Sequence, residues 1–204
     1  MLICENVTIS VGSHPIISNL NFTLLSNNCL VIKGKNGSGK STLLKAIAGF
    51  ISLSSGQILW HNKDIAEDLE LYQSTQIAYL GHNFGLKGFL TVRENLSFFA
   101  TCKFTQDIIT ASLKQFGISD LIDQPLYKLS QGTIKKVALA RVILSNSRLW
   151  LLDEPDNNLD DFGKEMLAKL IDIRTKEGGC VIITSHDAYI DKNFPVINLE
   201  DYSK

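Results

Sequence analysis

Hydrophobic and polar residues alternate along the first part of the chain, and this pattern predicts short strands. Residues 3–10 and 20–25 alternate well enough to form an antiparallel pair, and residues 29–33 are a short apolar run that ends at Gly34. Apolar side chains then recur at helical spacing over residues 40–50. Further short strands are predicted at residues 57–60 and 77–80.

The middle of the chain changes to helical periodicity. Helices are predicted at residues 92–101, 108–116 and 134–144. Strand patterns return at residues 149–152 and 181–184, on either side of a helix predicted at 162–175. Strands that alternate with helices form a parallel sheet whose carboxyl ends collect phosphate chemistry. The expected fold class is therefore α/β, with a mixed or parallel sheet core, an N-terminal antiparallel β part and a helical subdomain.

Composition narrows the class of protein. The 204 residues, 45% of them hydrophobic and 20% charged, are enough for a folded α/β domain. The formal net charge of -1 gives no positive field, so a nucleic-acid partner is not expected. The apolar runs have strand length, short of the roughly 18 residues that a membrane span needs, and no signal peptide is expected. The four cysteines form no C-x-x-C pair, which indicates reduced cysteines in an intracellular protein and not a metal site.

Residues 34–41 carry the pattern G-x-x-x-x-G-K-[ST] of a phosphate-binding loop. Glycines let successive N–H groups turn toward an anion, and the following helix adds its positive end. Lys40 can reach the β- and γ-phosphates of a nucleotide, and Ser41 can give a hydroxyl to Mg²⁺. A chance glycine-rich turn is the alternative, and the flanking strand and helix argue against it. The predicted nucleotide-binding residues are Gly34, Lys35, Asn36, Gly37, Ser38, Gly39, Lys40, Ser41 and Thr42.

Two carboxylates follow the strand predicted at residues 149–152. Asp153 suits binding of Mg²⁺, and Glu154 suits polarising a water for attack on the γ-phosphorus. Neighbouring residues on a strand point to opposite faces, so the two carboxylates should have different roles. His186 follows the strand at 181–184 in the same way. A lone histidine there is usually structural, but its place at the phosphate edge favours a catalytic hydrogen bond to the γ-phosphate.

Residues 129–133 open the helix predicted to end at residue 144. In this order with the loop and the acidic strand end, they resemble the LSGGQ signature of the ABC ATPase family, and residues 157–160 resemble its D-loop, which ends at Asp160. In that family the signature faces the γ-phosphate held by a second copy. The resemblance therefore implies a homodimer that closes on ATP and Mg²⁺, with Ser130 as a helix N-cap. The signature residues are Leu129, Ser130, Gln131, Gly132 and Thr133.

The resemblance covers essentially the whole chain and implies a P-loop NTPase fold. It implies a single ABC ATPase domain over residues 1–204. A RecA-like core is expected at about 1–88 and 146–204, and a helical subdomain at about 89–145.

A narrower resemblance lies in residues 79–87, Tyr-Leu-Gly-His-Asn-Phe-Gly-Leu-Lys, and in residues 90–96, Leu-Thr-Val-Arg-Glu-Asn-Leu. These segments are similar to the haem-exporter ATPases of bacterial cytochrome c maturation, the CcmA family. The resemblance implies a peripheral protein on the cytoplasmic face of the inner membrane. It would couple ATP hydrolysis to haem export or delivery by CcmB/CcmC-like integral-membrane permease subunits. The alternatives are the ATPase subunit of another ABC importer or exporter, and a soluble ABC ATPase that acts in DNA repair or on ribosomes.

Several residues depart from the general ABC pattern. Val11 stands near the place of an adenine-stacking aromatic residue, which predicts modest ATP affinity and weak base selectivity. His82 replaces the Q-loop glutamine and is followed by Asn83; either could contact Mg²⁺, or both could only shape the loop that faces a partner. Gln131 and Thr133 replace glycine and glutamine in the signature, which predicts weakened but working recognition in trans.

Two groups of residues carry further expectations. Lys135 and Lys136 are expected to form a solvated helix face. Four aromatic residues near the Q-loop either form an apolar groove for a helix of a partner or contribute to the core of the helical subdomain. They are Phe84, Phe89, Phe98 and Phe99.

Overall fold

The alternating apolar positions near the N-terminus bury one face of an antiparallel sheet. A computed structural model describes residues 1–99, 106–185 and 194–202. The strands of this sheet are β1 (Leu2–Val11), β2 (His14–Leu24), β4 (Ser55–Trp60) and β5 (Lys63–Asp64). They lie in the order β2-β1-β4-β5.

The predicted antiparallel pair is confirmed, and Leu2 lies opposite Leu24. The second strand begins at His14, well before the predicted residue 20. The sequence pattern does not show this early start, because left-handed asparagines interrupt the alternation of apolar and polar residues in both strands. Asn6 has φ 50 and Asn19 has φ 53, and the register of the pair shifts between the neighbouring residues. Such bulges place consecutive side chains out of the two-residue period that a sequence pattern detects.

A second sheet is parallel throughout. Its strands are β3 (Cys29–Lys33), β6 (Ile77–Leu80), β7 (Leu149–Asp153), β8 (Cys180–Thr184) and β9 (Val196–Asn198). They lie in the order β6-β7-β8-β3-β9, and β3, β7 and β8 are almost entirely buried, as expected for a parallel sheet covered on both faces.

Six α-helices lie in the described residues, and a π-helical turn over Tyr72–Gln76 continues the second. The first helix ends at Ile47 and not at residue 50, because Gly49 takes φ 72 and the Phe50 N–H donates to the Lys45 carbonyl at 2.8 Å. The helices are α1 (Lys40–Ile47), α2 (Leu69–Leu71), α3 (Val92–Phe99), α4 (Gln106–Gln115), α5 (Gln131–Leu144) and α6 (Asp161–Lys176).

The parallel sheet divides the hydrophobic core into two clusters. Along β7, Leu149 and Leu151 face the cluster shared with the antiparallel sheet and α1, whereas Trp150 and Leu152 face the cluster shared with α3 to α6. Asp153 is the last residue of β7, so it lies at the carboxyl edge of the sheet, where it is paired with Thr184 of β8. Within the described ranges, no helix combines the length and apolar character that a membrane crossing requires.

Candidate active site

The loop between β3 and α1 connects the parallel sheet to an uncapped helix start. Gly39 is the N-cap of α1 and has φ 95, and no side chain accepts a hydrogen bond from the first amides of the helix. A Cβ atom on Gly39 would lie 2.7 Å from Cγ2 of Ile16, so glycine is required there by space as well as by conformation. The amides at this helix start can therefore bind an anion.

Lys40 is the first residue of α1 and is 6% exposed, and its side chain reaches back to the loop. Its ammonium donates to the carbonyl oxygens of Gly34 at 2.7 Å and Lys35 at 3.1 Å. An ammonium has three N–H donors, and these bonds use two of them. Beside the lysine lies a cavity of about 390 Å³. It is lined by Ile16, Asn36, Gly37, Gly39, Lys40, Ser41, Thr42, His82 and Glu154.

The end of the described chain supports the outer turn of the loop. The Lys35 N–H donates to the Glu200 carboxylate at 3.1 Å, and the Lys35 ammonium lies 3.4 Å from the same carboxylate. Leu199 is fully buried next to Gly34. No local sequence pattern could predict this contact, because the two segments are far apart along the chain.

Asp153 and Glu154 lie in different environments, but strand alternation is not the reason, because β7 ends at Asp153 and Glu154 follows the strand. Asp153 is 1% exposed, and its Oδ1 accepts a hydrogen bond from the Thr184 hydroxyl at 2.7 Å. Its Oδ2 is buried without a hydrogen-bond partner among the described residues, 3.7 Å from Nε2 of His82. Glu154 lines the cavity, and its Oε2 accepts from the Asn157 amide at 2.6 Å.

The backbone of Glu154 is left-handed, with φ 45, an uncommon conformation for a residue other than glycine. Its N–H donates to Oγ1 of Thr184 at 2.9 Å and to the Thr184 carbonyl at 3.1 Å. One threonine at the end of β8 therefore holds both acidic residues. Thr184 was not among the predicted site residues, because a buried threonine at a strand end has no distinctive sequence pattern.

The two candidate Q-loop residues differ in the cavities that they line. His82 lines the cavity at the phosphate loop, and it also lines a second cavity of about 300 Å³ together with Asn83, Phe84 and Tyr127. Asn83 lines only the second of these cavities. Nearby, burial and the charge of Asp153 raise the pKa of Tyr79 to about 12, so this phenol is neutral at physiological pH.

The signature residues form the start of α5. Ser130 is the N-cap, and its hydroxyl accepts from the Thr133 N–H at 3.1 Å and lies 2.8 Å from the Thr133 hydroxyl. Gly132 packs closely against the D-loop, since a Cβ atom there would lie 2.6 Å from the Asn158 carbonyl oxygen. None of residues 129–133 lines the phosphate-loop cavity of the same chain.

The expectation of a solvated lysine face on α5 is wrong. Lys135 is 4% exposed and donates to the Glu154 carbonyl at 2.8 Å. The Lys136 side chain is only 12% exposed and pairs with the Asp160 carboxylate at 2.9 Å. Both lysines are covered because this side of α5 packs against the end of β7 and the D-loop.

Two pKa values reflect this packing. Burial lowers the pKa of Lys135, against the opposing effect of the negative charges of Asp156, Asp153 and Glu154. The pKa of Asp160 is lowered, first by its hydrogen bond from Lys136 and then by the Gly163 N–H, which it accepts as the N-cap of α6.

The remaining candidates have mixed outcomes. Val11 is 65% exposed at the end of β1, and the aliphatic residue that lines the phosphate-loop cavity is Ile16, which the sequence reading did not select. Phe89 and Phe98 are 76% and 84% exposed, whereas Phe84 packs partly buried against the core. His186 and the side chain of Phe99 lie outside the described residues.

Comparison with known proteins identifies the family to which this chain belongs. Residues 17–157 match the ABC transporter family. A protein of Aliivibrio fischeri, named cytochrome c biogenesis ATP-binding export protein CcmA, is 38% identical over 196 residues, which cover 95% of this chain and 96% of that protein.

Solved structures agree with the sequence comparison. A putative ABC transporter ATP-binding protein from Pyrococcus furiosus superposes with a TM-score of 0.85 at 28% identity and covers 100% of this chain and 99% of its own. A bacterial ABC transporter cassette solved as a dimer has a TM-score of 0.85 at 25% identity and covers 97% of this chain and 94% of its own. With its phosphate loop, acidic strand end and signature helix, the chain belongs to the ABC transporter family as an ATPase cassette and, within that family, to the CcmA group.

Proposed function

We propose that this chain is the ATP-hydrolysing subunit of an ABC transporter complex that energises haem export or delivery in the biogenesis of c-type cytochromes. The observation that carries the hydrolytic role is a single cavity, of about 390 Å³, lined by the phosphate loop, His82 and Glu154. The link to c-type cytochromes is supported by the likeness to a cytochrome c biogenesis export protein. The competing function, the ATPase subunit of another ABC importer or exporter, shares the same hydrolysis and differs in its membrane partners.

In this proposal, three residues act on the triphosphate: Lys40, Glu154 and His186. The triphosphate of ATP lies on the amides that begin α1, and the Lys40 ammonium contacts its phosphate oxygens. Glu154, on the cavity wall, accepts a hydrogen bond from the attacking water and orients it in line with the γ-phosphorus. His186 then donates a hydrogen bond to the γ-phosphate, the role predicted from the sequence.

The residues beside the phosphate loop fit a divalent cation. Asp153 Oδ2 is a buried carboxylate oxygen without a hydrogen-bond partner among the described residues, and such oxygens are ligands that Mg²⁺ prefers. Ser41 lines the phosphate-loop cavity, and Asp153 lies 3.7 Å from His82 of the same cavity wall, so the Ser41 hydroxyl and the Asp153 carboxylate would hold the ion. When bound, Mg²⁺ neutralises charge on the phosphate oxygens. His82 faces Asp153 and orients water next to the site.

A second copy of the chain completes the site in this proposal. The signature residues lie away from the phosphate loop of their own chain, and the start of α5 is another helix N-terminus that suits an anion. Closing two copies would bring Ser130 and Gly132 of one copy to the γ-phosphate held by the other. The dimeric cassette among the solved relatives supports this arrangement.

The membrane partners are expected to dock next to the Q-loop. The wall of the second cavity, of about 300 Å³, combines apolar and aromatic residues (Phe84, Leu86, Leu126 and Tyr127) with the polar residues His82, Asn83 and Gln131. Exposed Phe89 follows its lining residue Gly88. A surface that combines apolar side chains with a few polar groups suits a helix of a membrane subunit. We propose CcmB/CcmC-like permease subunits as the partners, which places the chain on the cytoplasmic face of the inner membrane.

The hydrolytic role is tested by replacing the proposed base. Glu154→Gln keeps the size and the Asn157 contact but removes the charge that accepts a proton, so ATP binding is expected to persist while turnover falls by at least about 100-fold. Steady-state phosphate release and equilibrium ATP binding measure the two quantities. Hydrolysis at the parent rate would show that Glu154 is not the base.

The transport role is tested by partner capture. Affinity-tagged chain is purified from detergent-solubilised membranes that contain CcmB/CcmC-like permeases, and the co-purifying proteins are identified by mass spectrometry. The proposal expects these permeases with the parent chain and less of them with Phe89→Ser, which removes an exposed apolar side chain. Specific capture of a different permease would favour the competing function.

A further inference from the structure

One buried lysine connects three segments of the proposed site. Lys135, on α5, is 4% exposed and donates to the carbonyl oxygen of Glu154 at 2.8 Å. The same ammonium lies 5.2 Å from the centroid of the Phe84 ring, within the range of a cation–π interaction. The signature helix, the end of β7 and the loop after β6 therefore meet at one charge.

The peptide that Lys135 contacts adopts a conformation that needs support. Glu154 has φ 45, which a residue other than glycine keeps only where its surroundings hold it. Thr184 binds the N–H side of this residue, at 2.9 Å through its hydroxyl. On the other side, the Glu154 carbonyl accepts from Lys135 at 2.8 Å and from the Asn157 N–H at 3.3 Å, so removal of the lysine would leave only the longer of these two bonds.

Two opposing effects act on the charge of this lysine. Burial lowers the pKa of Lys135, while Asp156, Asp153 and Glu154 favour its charged form. A hydrogen bond from a charged donor is stronger than one between neutral groups. The Phe84 ring covers the ammonium from the side of the neighbouring cavity and restricts where it can move.

We propose that Lys135 is a positioning residue for Glu154: its ammonium fixes the Glu154 peptide, and Phe84 keeps the ammonium in place. Because Phe84 lines the 300 Å³ cavity next to the Q-loop, the same lysine links this cavity to the end of β7. The inference rests on the proposed role of Glu154 in hydrolysis and concerns its orientation only.

The test compares Lys135→Met, which keeps a long side chain without a charge, with Lys135→Arg, which keeps a cation with N–H donors. The control is Lys169→Met, since Lys169 lies on α6 and pairs with exposed Glu165 away from the site. ATP affinity, kcat and KM are measured for each variant, with the unfolding midpoint as a check on folding. Lys135→Met is expected to lower kcat by about 10- to 100-fold and to change ATP affinity by less than about threefold. Lys135→Arg should recover part of kcat, and Lys169→Met should match the parent.

A double-mutant cycle tests the part played by Phe84. Phe84→Leu should lower kcat in the parent background and have less effect once Lys135 is methionine, because the ring acts through the lysine. Equal effects in both backgrounds would overturn the role of Phe84.

Two results would overturn the role of Lys135. One is a parent kcat in Lys135→Met. The other is a parallel loss of kcat, ATP affinity and folding in both lysine variants, which would make the lysine a structural residue only. Glu154→Gln separates this inference from the proposed function. If that variant is inactive while Lys135→Met is fully active, only the role of Lys135 fails; if Glu154→Gln is active, the hydrolytic proposal fails.

Discussion

Two helices of this chain begin in opposite ways. The start of α1 has Gly39 as its N-cap and no side chain that accepts from its first amides. The start of α5 has Ser130 as its N-cap, and the serine hydroxyl accepts from the Thr133 N–H at 3.1 Å. The first is open and next to a buried lysine, whereas the second is closed by its own sequence.

Because of this difference, the two helix starts depend on a ligand to different degrees. An open start leaves amide donors that must find an acceptor, and a phosphate supplies one. A closed start is stable by itself, and its hydroxyl can still donate a hydrogen bond outward. We expect α1 to hold the nucleotide of its own chain and α5 to act only when two copies meet, so changes at the two starts should affect different equilibria.

The largest expected effect comes from a charge at the closed start. Ser130→Asp keeps a good N-cap, and a negative charge favours a helix start, so the free energy of unfolding should not fall. The same charge would face the γ-phosphate of a second copy, and such a like-charge contact costs several kcal/mol, so ATP-dependent dimerisation should weaken by at least about 100-fold. Analytical ultracentrifugation with ATP, in the Glu154→Gln background, measures the dimer.

Ser130→Ala provides the control, because it removes the cap without adding a charge. It should lower the free energy of unfolding by about 1 kcal/mol and weaken the dimer less than aspartate does. If Ser130→Asp forms the ATP-dependent dimer as well as the parent, the start of α5 does not face the phosphate of a second copy.

A smaller effect is expected at the open start. Lys40→Ala removes a charged donor from the loop, so ATP binding should weaken by about 1.5–3 kcal/mol, or roughly 10- to 150-fold. The carbonyls of Gly34 and Lys35 lose the same ammonium, so part of the effect comes from loosening of the loop. Isothermal titration calorimetry with ATP measures the binding.

Lys45→Ala is the matched control, since Lys45 is exposed in the last turn of the same helix. It changes the net charge equally but leaves the loop intact. ATP affinity that is the same in both variants would contradict the role of Lys40 at the phosphates.

Much of the fold could be predicted from local pattern. The strand at residues 29–33 has the predicted bounds, because a short buried run between a polar turn and a glycine loop has few alternatives. The short elements β5 and β9 were missed because two or three residues cannot show a period. Bulges hid the start of β2, where the chain alternates around left-handed asparagines.

The site was predictable only where chemistry and motif coincide. The phosphate loop and Asp153 have a characteristic order of residues, so the sequence placed them on the correct edge of the sheet. Lys135 was misread because a lysine in a helix is usually solvated, and its burial depends on how α5 packs against the end of β7. Ile16 and Glu200 reach the loop from distant segments, and no local pattern marks such contacts.

The smallest expected effect lies at a third helix start, also closed by its own side chain, where Asp160 caps α6 and pairs with Lys136 of α5. Asp160→Asn keeps a good N-cap but removes the ion pair, so at pH 7 it should lower the free energy of unfolding by only about 0.2–1 kcal/mol, because the carboxylate is largely exposed and screened. The pKa of Asp160 is lowered in the folded chain, chiefly by the hydrogen bond from Lys136. The stabilisation of the folded chain by the Asp160 charge is therefore fully present above the ordinary carboxyl pKa of about 3.9, and it is lost as the pH falls through the lower pKa of the folded state. Urea unfolding of both proteins at pH 7 and near pH 3 measures the difference, which should shrink at the lower pH and also in high salt. A difference independent of pH and salt would show that the aspartate acts through its cap alone, and the junction between α5 and α6 would then not depend on charge.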